Sequence, residues 1–424
     1  MNRIEVSLQQ PIDLLQLARQ FELATLLTSA DLPNYPDSHY NGLYAFGAKK
    51  VLSCHSGSAI DQLEHFQKDS QDWLFGCLGY DLKNEVEALS SNNFDGIHLP
   101  DLLFYQPKFV ITEERGQFTL HCHAGDVDAF FEHCQHVEEA SISAAQQITL
   151  EARISEADYL ATIEQIQRHI QLGDCYEMNF CQEFYCEGAT IDPYETFDRL
   201  SASAQAPFMA FFKTGQQFLL CSSPERFLKK EGNQLLSQPI KGTAKRGNSA
   251  VGDAFLKQQL EVSHKDKTEN VMIVDLVRND LGRIAVAGSV EVKELFGVYT
   301  FPHVHQMIST ITATLKPEIG LGELLKNTFP MGSMTGAPKV KVMQLTEELE
   351  QTKRGWYSGA VGYIAPNGDF DFNVVIRSLL YHAERAYLSC QVGGGITAGS
   401  IPQKEYEECL VKIAGIQRIL NPKE

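Results

Sequence analysis

A lysine and a carboxylate with catalytic potential lie close together in the middle of the chain. Lys241 belongs to the segment 239–243 (PIKGT), and Glu225 belongs to the preceding segment 223–227 (SPERF). A lysine that is shielded from water near a carboxylate can act as a covalent nucleophile, since burial disfavours its ammonium form. A lysine beside a glycine is also often a solvated loop residue. The two segments alone leave both interpretations open.

Further carboxylates fall on the apolar faces of two predicted helices. A helix over 266–281 carries Glu269 on its apolar stripe, and a helix that begins near Pro402 carries Glu405 and Glu408 on its own. Buried carboxylates on different helices are costly unless a cation joins them. An oxygen-only ligand set favours Mg²⁺ over zinc.

Internal ion pairs are the alternative to a metal site. Lys412 lies one turn after Glu408, and Arg278 lies on the same predicted helix as Glu269. Both pairs would neutralise the carboxylates without a metal. The spacing favours neither interpretation.

Three other segments offer groups that bind anions. The three glycines of 393–395 would let backbone N–H groups approach an anion, or would form a flexible turn. The segment 333–339 (SMTGAPK) predicts a loop that enters a helix with free N–H groups, or an ordinary N-cap. Arg377 lies among apolar residues of a predicted strand over 369–381, where a guanidinium needs an anionic partner.

The elements that must position these groups can be outlined from capping and periodicity. A helix is predicted from Ser155, a good N-cap residue, to Gly173, and a buried strand follows over 175–186. The Asn-Gly pair in 366–368 predicts a hairpin turn. A composition change near 138–155 indicates a junction, which gives an N-terminal region at 1–148 and a catalytic region at 149–424.

Composition limits the class of protein. The 424 residues include 36 basic and 54 acidic side chains, a net charge of -18, which argues against nucleic acid or an anionic membrane as a partner. The ten cysteines form no CxxC pair, which is typical of reduced thiols. The sequence has no signal-peptide pattern and no apolar stretch of about 18 residues, so we expect a cytoplasmic globular protein.

Taken together, these motifs resemble the chorismate-utilising enzymes of the anthranilate synthase component I family, most closely the branch that leads to para-aminobenzoate. The segments that carry the resemblance are 223–227, 239–243, 266–280, 335–339, 375–378, 393–395 and the helix with Glu405 and Glu408. The resemblance implies an α+β fold with two large, mostly antiparallel sheets packed as a sandwich and helices outside. It also implies that the N-terminal region is woven into the first sheet.

The resemblance further implies roles for individual residues. Lys241, where anthranilate synthases usually carry alanine, would attack C2 of chorismate while Glu225 protonates the departing 4-hydroxyl, and ammonia would then displace the lysine at C4. Glu269 and Glu408, with Glu405 close by, would bind Mg²⁺. The substrate-binding groups would be Tyr357, Arg377, Gly394, Gly395 and Lys412, to which we add Ser333 and Thr335 from the loop at 333–339.

Two positions depart from the family pattern. Gln306 stands where the family usually has histidine, and Glu177 stands where ammonia-using members have glutamine and water-using members have lysine. A carboxylate at 177 would orient or deprotonate ammonium, or pair with Lys241 and alter its pKa.

The expected activity requires a source of ammonia. The sequence lacks a glutaminase nucleophile motif, so the resemblance implies a separate glutamine amidotransferase subunit as partner. The alternatives are anthranilate synthesis, and a catalytically silent binding or regulatory subunit.

Overall fold

The computed structural model describes residues 3–10, 12–30, 32, 35–37, 40, 42–135 and 147–422. Within these ranges the chain forms the following α-helices: α1 (Leu14–Arg19), α2 (Ala59–Ser70), α3 (Lys83–Val86), α4 (Val127–Gln135), α5 (Glu156–Leu172), α6 (Pro193–Ala204), α7 (Ala250–Val262), α8 (His264–Ile284), α9 (Leu321–Thr328), α10 (Lys339–Leu349) and α11 (Pro402–Leu420).

The same ranges contain β-strands distributed along the whole chain. They are β1 (Ile4–Leu8), β2 (Leu23–Thr28), β3 (Leu43–Cys54), β4 (Leu74–Leu78), β5 (Leu102–Glu114), β6 (Gln117–Cys122), β7 (Glu151–Ala152), β8 (Glu177–Glu187), β9 (Phe208–Thr214), β10 (Gln217–Ser223), β11 (Arg226–Glu231), β12 (Gln234–Gln238), β13 (Ile240–Lys245), β14 (Glu291–Thr300), β15 (Val304–Thr314), β16 (Gly336–Ala337), β17 (Ala360–Ile364), β18 (Phe370–Val374), β19 (Ser378–His382) and β20 (Tyr387–Thr397).

The strands form two arms of one hydrogen-bonded network, and all of these strand pairings are antiparallel. The first arm runs in the order β8, β20, β19, β10, β9, β2 and β3. The second runs in the order β5, β4, β17, β18, β11, β12 and β15, with β13 and β14 also paired to β15. The long strands β3 and β5 pair with each other and join the two arms.

Three buried apolar clusters show how the layers stack. One cluster, which includes Phe75 of the second arm and Phe212 of the first, fills the space between the arms. A second lies between the first arm and the helices α1, α4, α5, α6, α10 and α11. A third lies between the second arm and α2, α8 and α9. Burial of each large apolar side chain contributes about 1.5–3 kcal/mol, so packing of the helices stabilises the outer face of each arm. The predicted α+β sandwich with outer helices is confirmed.

The predicted bounds of the helix after Ser155 are also confirmed. The Ser155 side chain accepts a hydrogen bond from the Asp158 N–H, and Gly173 ends the helix with a φ of 83°. The buried strand that follows is β8, which pairs with β20 along its full length. This pairing brings the start of β8 next to the end of β20, where the candidate site lies.

The second strand of the predicted hairpin is interrupted. It ends at Val374 and resumes at Ser378, because β18 pairs with β11 in the second arm whereas β19 pairs with β10 in the first. Arg377 lies in this crossing with a φ of 50° and is exposed. The prediction of a continuous strand with Arg377 among buried apolar neighbours is therefore wrong.

The three consecutive glycines also differ from the prediction. They lie inside β20, where Gly393, Gly394 and Gly395 pair with Cys181, Phe180 and Asn179 of β8. The predicted flexible turn is wrong, because the long register of β8 and β20 continues through the glycines.

The predicted junction falls partly outside the described residues, at 136–146. Strands from the N-terminal region, such as β2 and β4, pair with strands of the catalytic region. The two regions therefore share the same sheets, and the division at 148/149 stays a prediction. No helix among the described residues combines the length and the apolar character that a membrane crossing requires.

Candidate active site

Lys241 and Glu177 form the centre of the candidate site. Lys241 lies on β13 and Glu177 at the start of β8, and the lysine Nζ donates a hydrogen bond of 2.7 Å to the Glu177 Oε1. Their side chains are only 11% and 1% exposed. A carboxylate at 177 was expected either to act on ammonium or to pair with Lys241, and the structure shows the pairing with Lys241.

The pairing reverses the expected effect of burial on the lysine. Burial lowers the pKa of Lys241, but Glu177, with further contributions from Glu269 and Glu225, raises the pKa above its ordinary value. The expectation that burial leaves the amine neutral is therefore wrong for this structure. In the resting site the lysine is an ammonium ion, and a nucleophilic role requires a proton acceptor.

Two glycines leave the space that the ion pair occupies. A Cβ on Gly395 would lie 2.5 Å from the Glu177 Oε1 and 2.8 Å from the Lys241 Nζ. A Cβ on Gly336, in the short strand β16, would lie 2.1 Å from the Glu177 backbone oxygen. Any larger residue at either position would displace Glu177.

Glu225 lies between β10 and β11 and is only 4% exposed. Burial raises its pKa to about 7, although the Ser333 hydroxyl, the Lys241 charge and the Ile240 N–H act to lower it. The carboxyl group therefore keeps a proton to neutral pH. A protonated carboxyl group beside a lysine is suited to act as a general acid.

The predicted metal-binding carboxylates lie on α8 and α11, as expected. Glu269 and Glu405 are 8% and 7% exposed. The Lys265 Nζ lies 3.8 Å from the Glu269 Oε1 and 3.9 Å from the Glu405 Oε1, so one ammonium group bridges the two helices. Burial raises the pKa of Glu269 to about 7, and the charge of Lys241 partly offsets this.

Glu408 is not buried as expected, although burial effects on its pKa are outweighed by Lys412, Lys265 and Lys241, which lower the pKa, so its charge still acts at the site. Its side chain is 55% exposed, and its Oε1 lies 2.9 Å from the Lys412 Nζ. The alternative pairing of Glu408 with Lys412 is thus confirmed. The alternative pairing of Glu269 with Arg278 is wrong, because Arg278 binds Asp275 instead.

Two buried carboxylates of the site have the oxygen donors that Mg²⁺ requires. The described residues contain no group of three His, Cys, Asp or Glu side chains arranged as a ready-made metal centre. However, the buried Glu269 Oε1 has no hydrogen-bond partner, and Lys265 shows that this carboxylate and Glu405 share space for a positive charge. Mg²⁺ often binds through only one or two protein carboxylates together with water and substrate oxygens, so these residues fit it.

The predicted substrate-binding residues differ in whether their polar atoms already contact other groups of the protein. The buried Ser333 Oγ acts on Glu225 and lowers the pKa of that carboxyl group. The exposed Arg377 guanidinium forms no hydrogen bond or ion pair with a described residue. By contrast, the Thr335 hydroxyl donates to the Met331 oxygen at 3.1 Å. Tyr357 is 4% exposed. Their assignment to substrate stays a prediction.

Gly394 and Lys412 complete the set on β20 and α11. The Lys412 Nζ donates to the Gly393 oxygen at 2.6 Å, which holds α11 against β20. A Cβ on Gly394 would lie 3.4 Å from the Glu405 Oε2, so this glycine faces the carboxylates of α11.

Sequence reasoning missed a buried ion pair that supports the site. Arg354, 2% exposed, binds Glu350 at 2.6 Å and donates to the Asn179 oxygen at 3.0 Å and the Met334 oxygen at 2.7 Å. Glu350 also accepts from the Cys181 N–H at 2.9 Å. The pair thereby joins β8 to the loop that carries Ser333. Its helical spacing of four residues was the available signal, but such pairs usually lie on surfaces.

Comparison with known proteins gives consistent results. Residues 33–418 match the family model described as chorismate binding enzyme. Aminodeoxychorismate synthase component 1 of Escherichia coli is 37% identical over 356 residues, which cover 82% of this chain and 77% of that protein. The protein of the same name from Bacillus subtilis is 29% identical over 86% of this chain and 80% of that protein.

Two solved structures show the same fold. Anthranilate synthase component I of Streptococcus pneumoniae superposes with a TM-score of 0.80 at 24% identity, over 91% of this chain and 93% of that chain. The menaquinone-specific isochorismate synthase of Escherichia coli superposes with a TM-score of 0.81 at 17% identity, over 99% and 94%. The family match extends over most of the sequence and includes the site described above. The chain therefore belongs to the chorismate binding enzyme family and is an enzyme that acts on chorismate.

Proposed function

We propose that the chain is the chorismate-aminating component of an aminodeoxychorismate synthase. It would convert chorismate and ammonia into 4-amino-4-deoxychorismate and water, for para-aminobenzoate and folate synthesis. The observation that carries the proposal is the buried Lys241, held at 2.7 Å by Glu177 and electrostatically coupled to Glu225. The relatives named aminodeoxychorismate synthase component 1 support the same activity.

The proposed chemistry begins with attack of the neutral Lys241 amine on C2 of chorismate. Both conjugated double bonds of the ring shift, the C4–O bond breaks, and Glu225 gives its proton to the departing hydroxyl, which leaves as water. Ammonia then attacks C4, both double bonds return to their original positions, and the C2–N bond to Lys241 breaks. Glu225 recovers a proton from the new C4 ammonium group. A carboxyl group with a pKa of about 7 can serve in both directions.

The substrate is a dicarboxylate, and the site offers cations and N–H groups to hold it. Arg377 and Lys412 supply positive charge, while Tyr357, Ser333 and Thr335 supply hydroxyl groups. The backbone N–H groups of Gly394 and Gly395 complete the proposed binding set. Fixing the ring over Lys241 converts the attack into an intramolecular step, which can supply much of the rate enhancement.

We further propose that Glu269, Glu405 and Glu408 hold Mg²⁺ in the working enzyme. The bound ion would neutralise a substrate carboxylate and clamp it in place. The buried Glu269 Oε1, which accepts no hydrogen bond, and the Lys265 ammonium group that lies between Glu269 and Glu405 support this assignment.

Ammonia would come from a separate glutamine amidotransferase subunit. The description component 1 in the names of the relatives is consistent with a second component. Free ammonium should replace that subunit in vitro. The proposal of a separate subunit is wrong if the purified chain hydrolyses glutamine by itself.

The experiment is to incubate the purified chain with chorismate, Mg²⁺ and ammonium, and to identify the product by mass. We expect a product that keeps the pyruvyl group and that disappears in Lys241→Ala. Lys245→Ala is the matched control, because Lys245 is exposed on the same strand. Formation of anthranilate and free pyruvate would show that the chain belongs to the tryptophan branch instead.

A further inference from the structure

The carboxylate partner of Lys241 has one oxygen that the ion pair does not use. Glu177 is 1% exposed, and its Oε1 accepts the lysine hydrogen bond at 2.7 Å. Its second oxygen, Oε2, is buried and has no hydrogen-bond partner. A buried carboxylate oxygen without a hydrogen bond destabilises the folded protein. We therefore expect this oxygen to bind a ligand or to take part in the reaction.

The backbone around Glu177 leaves room for the Lys241–Glu177 ion pair. Gly395 leaves room for the ion pair on one side, and Gly336 approaches the Glu177 backbone on the other. The Arg354–Glu350 pair fixes β8 two and four residues further along, at Asn179 and Cys181. Glu177 also lies between two paired strands, β16 on one side and β20 on the other, which positions its carboxylate as a proton acceptor requires.

We infer that Glu177 is the catalytic base that activates Lys241 and that its second oxygen receives the incoming ammonia. This inference rests on the proposed function, because only a covalent role for the lysine requires a base at this position. Among the carboxylates coupled to Lys241, Glu177 is the one hydrogen-bonded to the Nζ.

The proton balance closes over one reaction cycle. An Nζ–H bond of Lys241 breaks and an O–H bond forms on the Glu177 Oε1, which leaves a neutral amine and a neutral carboxyl group. The amine lone pair then attacks C2, and water leaves C4 with the proton of Glu225. When ammonia displaces the lysine, the released amine recovers its proton from Glu177.

The second oxygen gives the carboxylate its other function. In the resting site, Oε2 is a free acceptor close to the Lys241 ammonium group, and an N–H of ammonia can donate to it. An amide side chain of the same shape would offer one oxygen and one N–H donor. It could neither take the proton of Lys241 nor accept from both nitrogens at once.

The test separates formation of the lysine adduct from overall turnover. Wild type, Glu177→Gln and Glu177→Asp are mixed with chorismate and Mg²⁺ without ammonium, quenched over time, and analysed by intact mass. The adduct has the mass of the chain plus chorismate less one water. Chorismate affinity and thermal unfolding are measured on the same samples, because a merely structural role would change those quantities instead.

We expect Glu177→Gln to form the adduct at least about 100-fold more slowly than wild type, with chorismate affinity within about threefold. Glu177→Asp keeps a carboxylate at a longer distance, so its rate should lie between those of wild type and Glu177→Gln. If the amide variant does not fold, a slower adduct rate in Glu177→Asp with unchanged affinity supports the inference, and a wild-type rate overturns it.

The outcomes distinguish this inference from the proposed function. Adduct formation in wild type and equally fast adduct formation in Glu177→Gln would overturn the role of Glu177 alone. Absence of the adduct in wild type, or release of anthranilate and pyruvate once ammonium is added, would overturn the proposed function and the inference with it.

Discussion

Replacement of Gly395 by alanine tests whether the Lys241–Glu177 pair is needed in its observed position. The new Cβ would lie 2.5 Å from the Glu177 Oε1 and 2.8 Å from the Lys241 Nζ. Real contacts of this kind begin at 3.0–3.4 Å, so the carboxylate must move by 0.5–0.9 Å. Both side chains are buried between strands, so the carboxylate cannot relieve the contact by moving into solvent. A displacement of about 1 Å at a reacting group can lower the rate by about 100-fold.

The assay is turnover of chorismate with ammonium, measured as kcat/KM, in three alanine variants of glycines on or next to β20. Gly395→Ala should lose about 100-fold. Gly394→Ala, whose Cβ would lie at 3.4 Å from Glu405, should lose clearly less, and Gly399→Ala, with nothing within 4 Å, should stay within about twofold of wild type. Thermal unfolding of each variant serves as the control for folding. Wild-type activity in a folded Gly395→Ala variant would refute the reasoning.

Three further predictions concern the surrounding charges. Glu225→Gln should lower kcat by about 10²–10⁴. Because the folded wild type must give up the Glu225 proton near pH 7 rather than near its ordinary pKa, wild type loses stability as the pH rises from 4 to 8. The variant lacks this loss, so urea unfolding should show that it gains about 3 kcal/mol relative to wild type over that range. Lys265→Ala removes the ammonium shared by two helix carboxylates and should lower the Mg²⁺ concentration for half-maximal activity by up to about fivefold, whereas an increase would contradict the proposed metal site. Arg354→Ala leaves Glu350 buried and unpaired and should cost about 3–5 kcal/mol in urea unfolding, while the exposed Arg278→Ala should cost less than about 0.5 kcal/mol.

Local signals in the sequence were sufficient for several elements. The hydroxyl of Ser155 and the left-handed conformation of Gly173 define the two ends of α5, and both are properties of single residues. The position of Glu269 on the buried face of α8 follows from helical periodicity.

Features that depend on long-range pairing were not predictable in the same way. The break before Arg377 arises because the chain passes from one arm of the sheet to the other, which the local hydrophobic pattern does not record. The exposure of Glu408 depends on how α11 lies against β20. The pKa of Lys241 is raised by Glu177, which belongs to a different strand, so the effect of burial alone predicted the wrong direction.

The central claim is amination of chorismate at C4 through Lys241, and the most direct measurement is the position of the new nitrogen in the product. Chorismate is converted by the purified chain with Mg²⁺ and ¹⁵N-labelled ammonium, and the product is examined by NMR. We expect ¹⁵N bonded to C4 with the pyruvyl ether intact, and no labelled product from Lys241→Ala. Label at C2 of an aromatic product, together with free pyruvate, would contradict the claim.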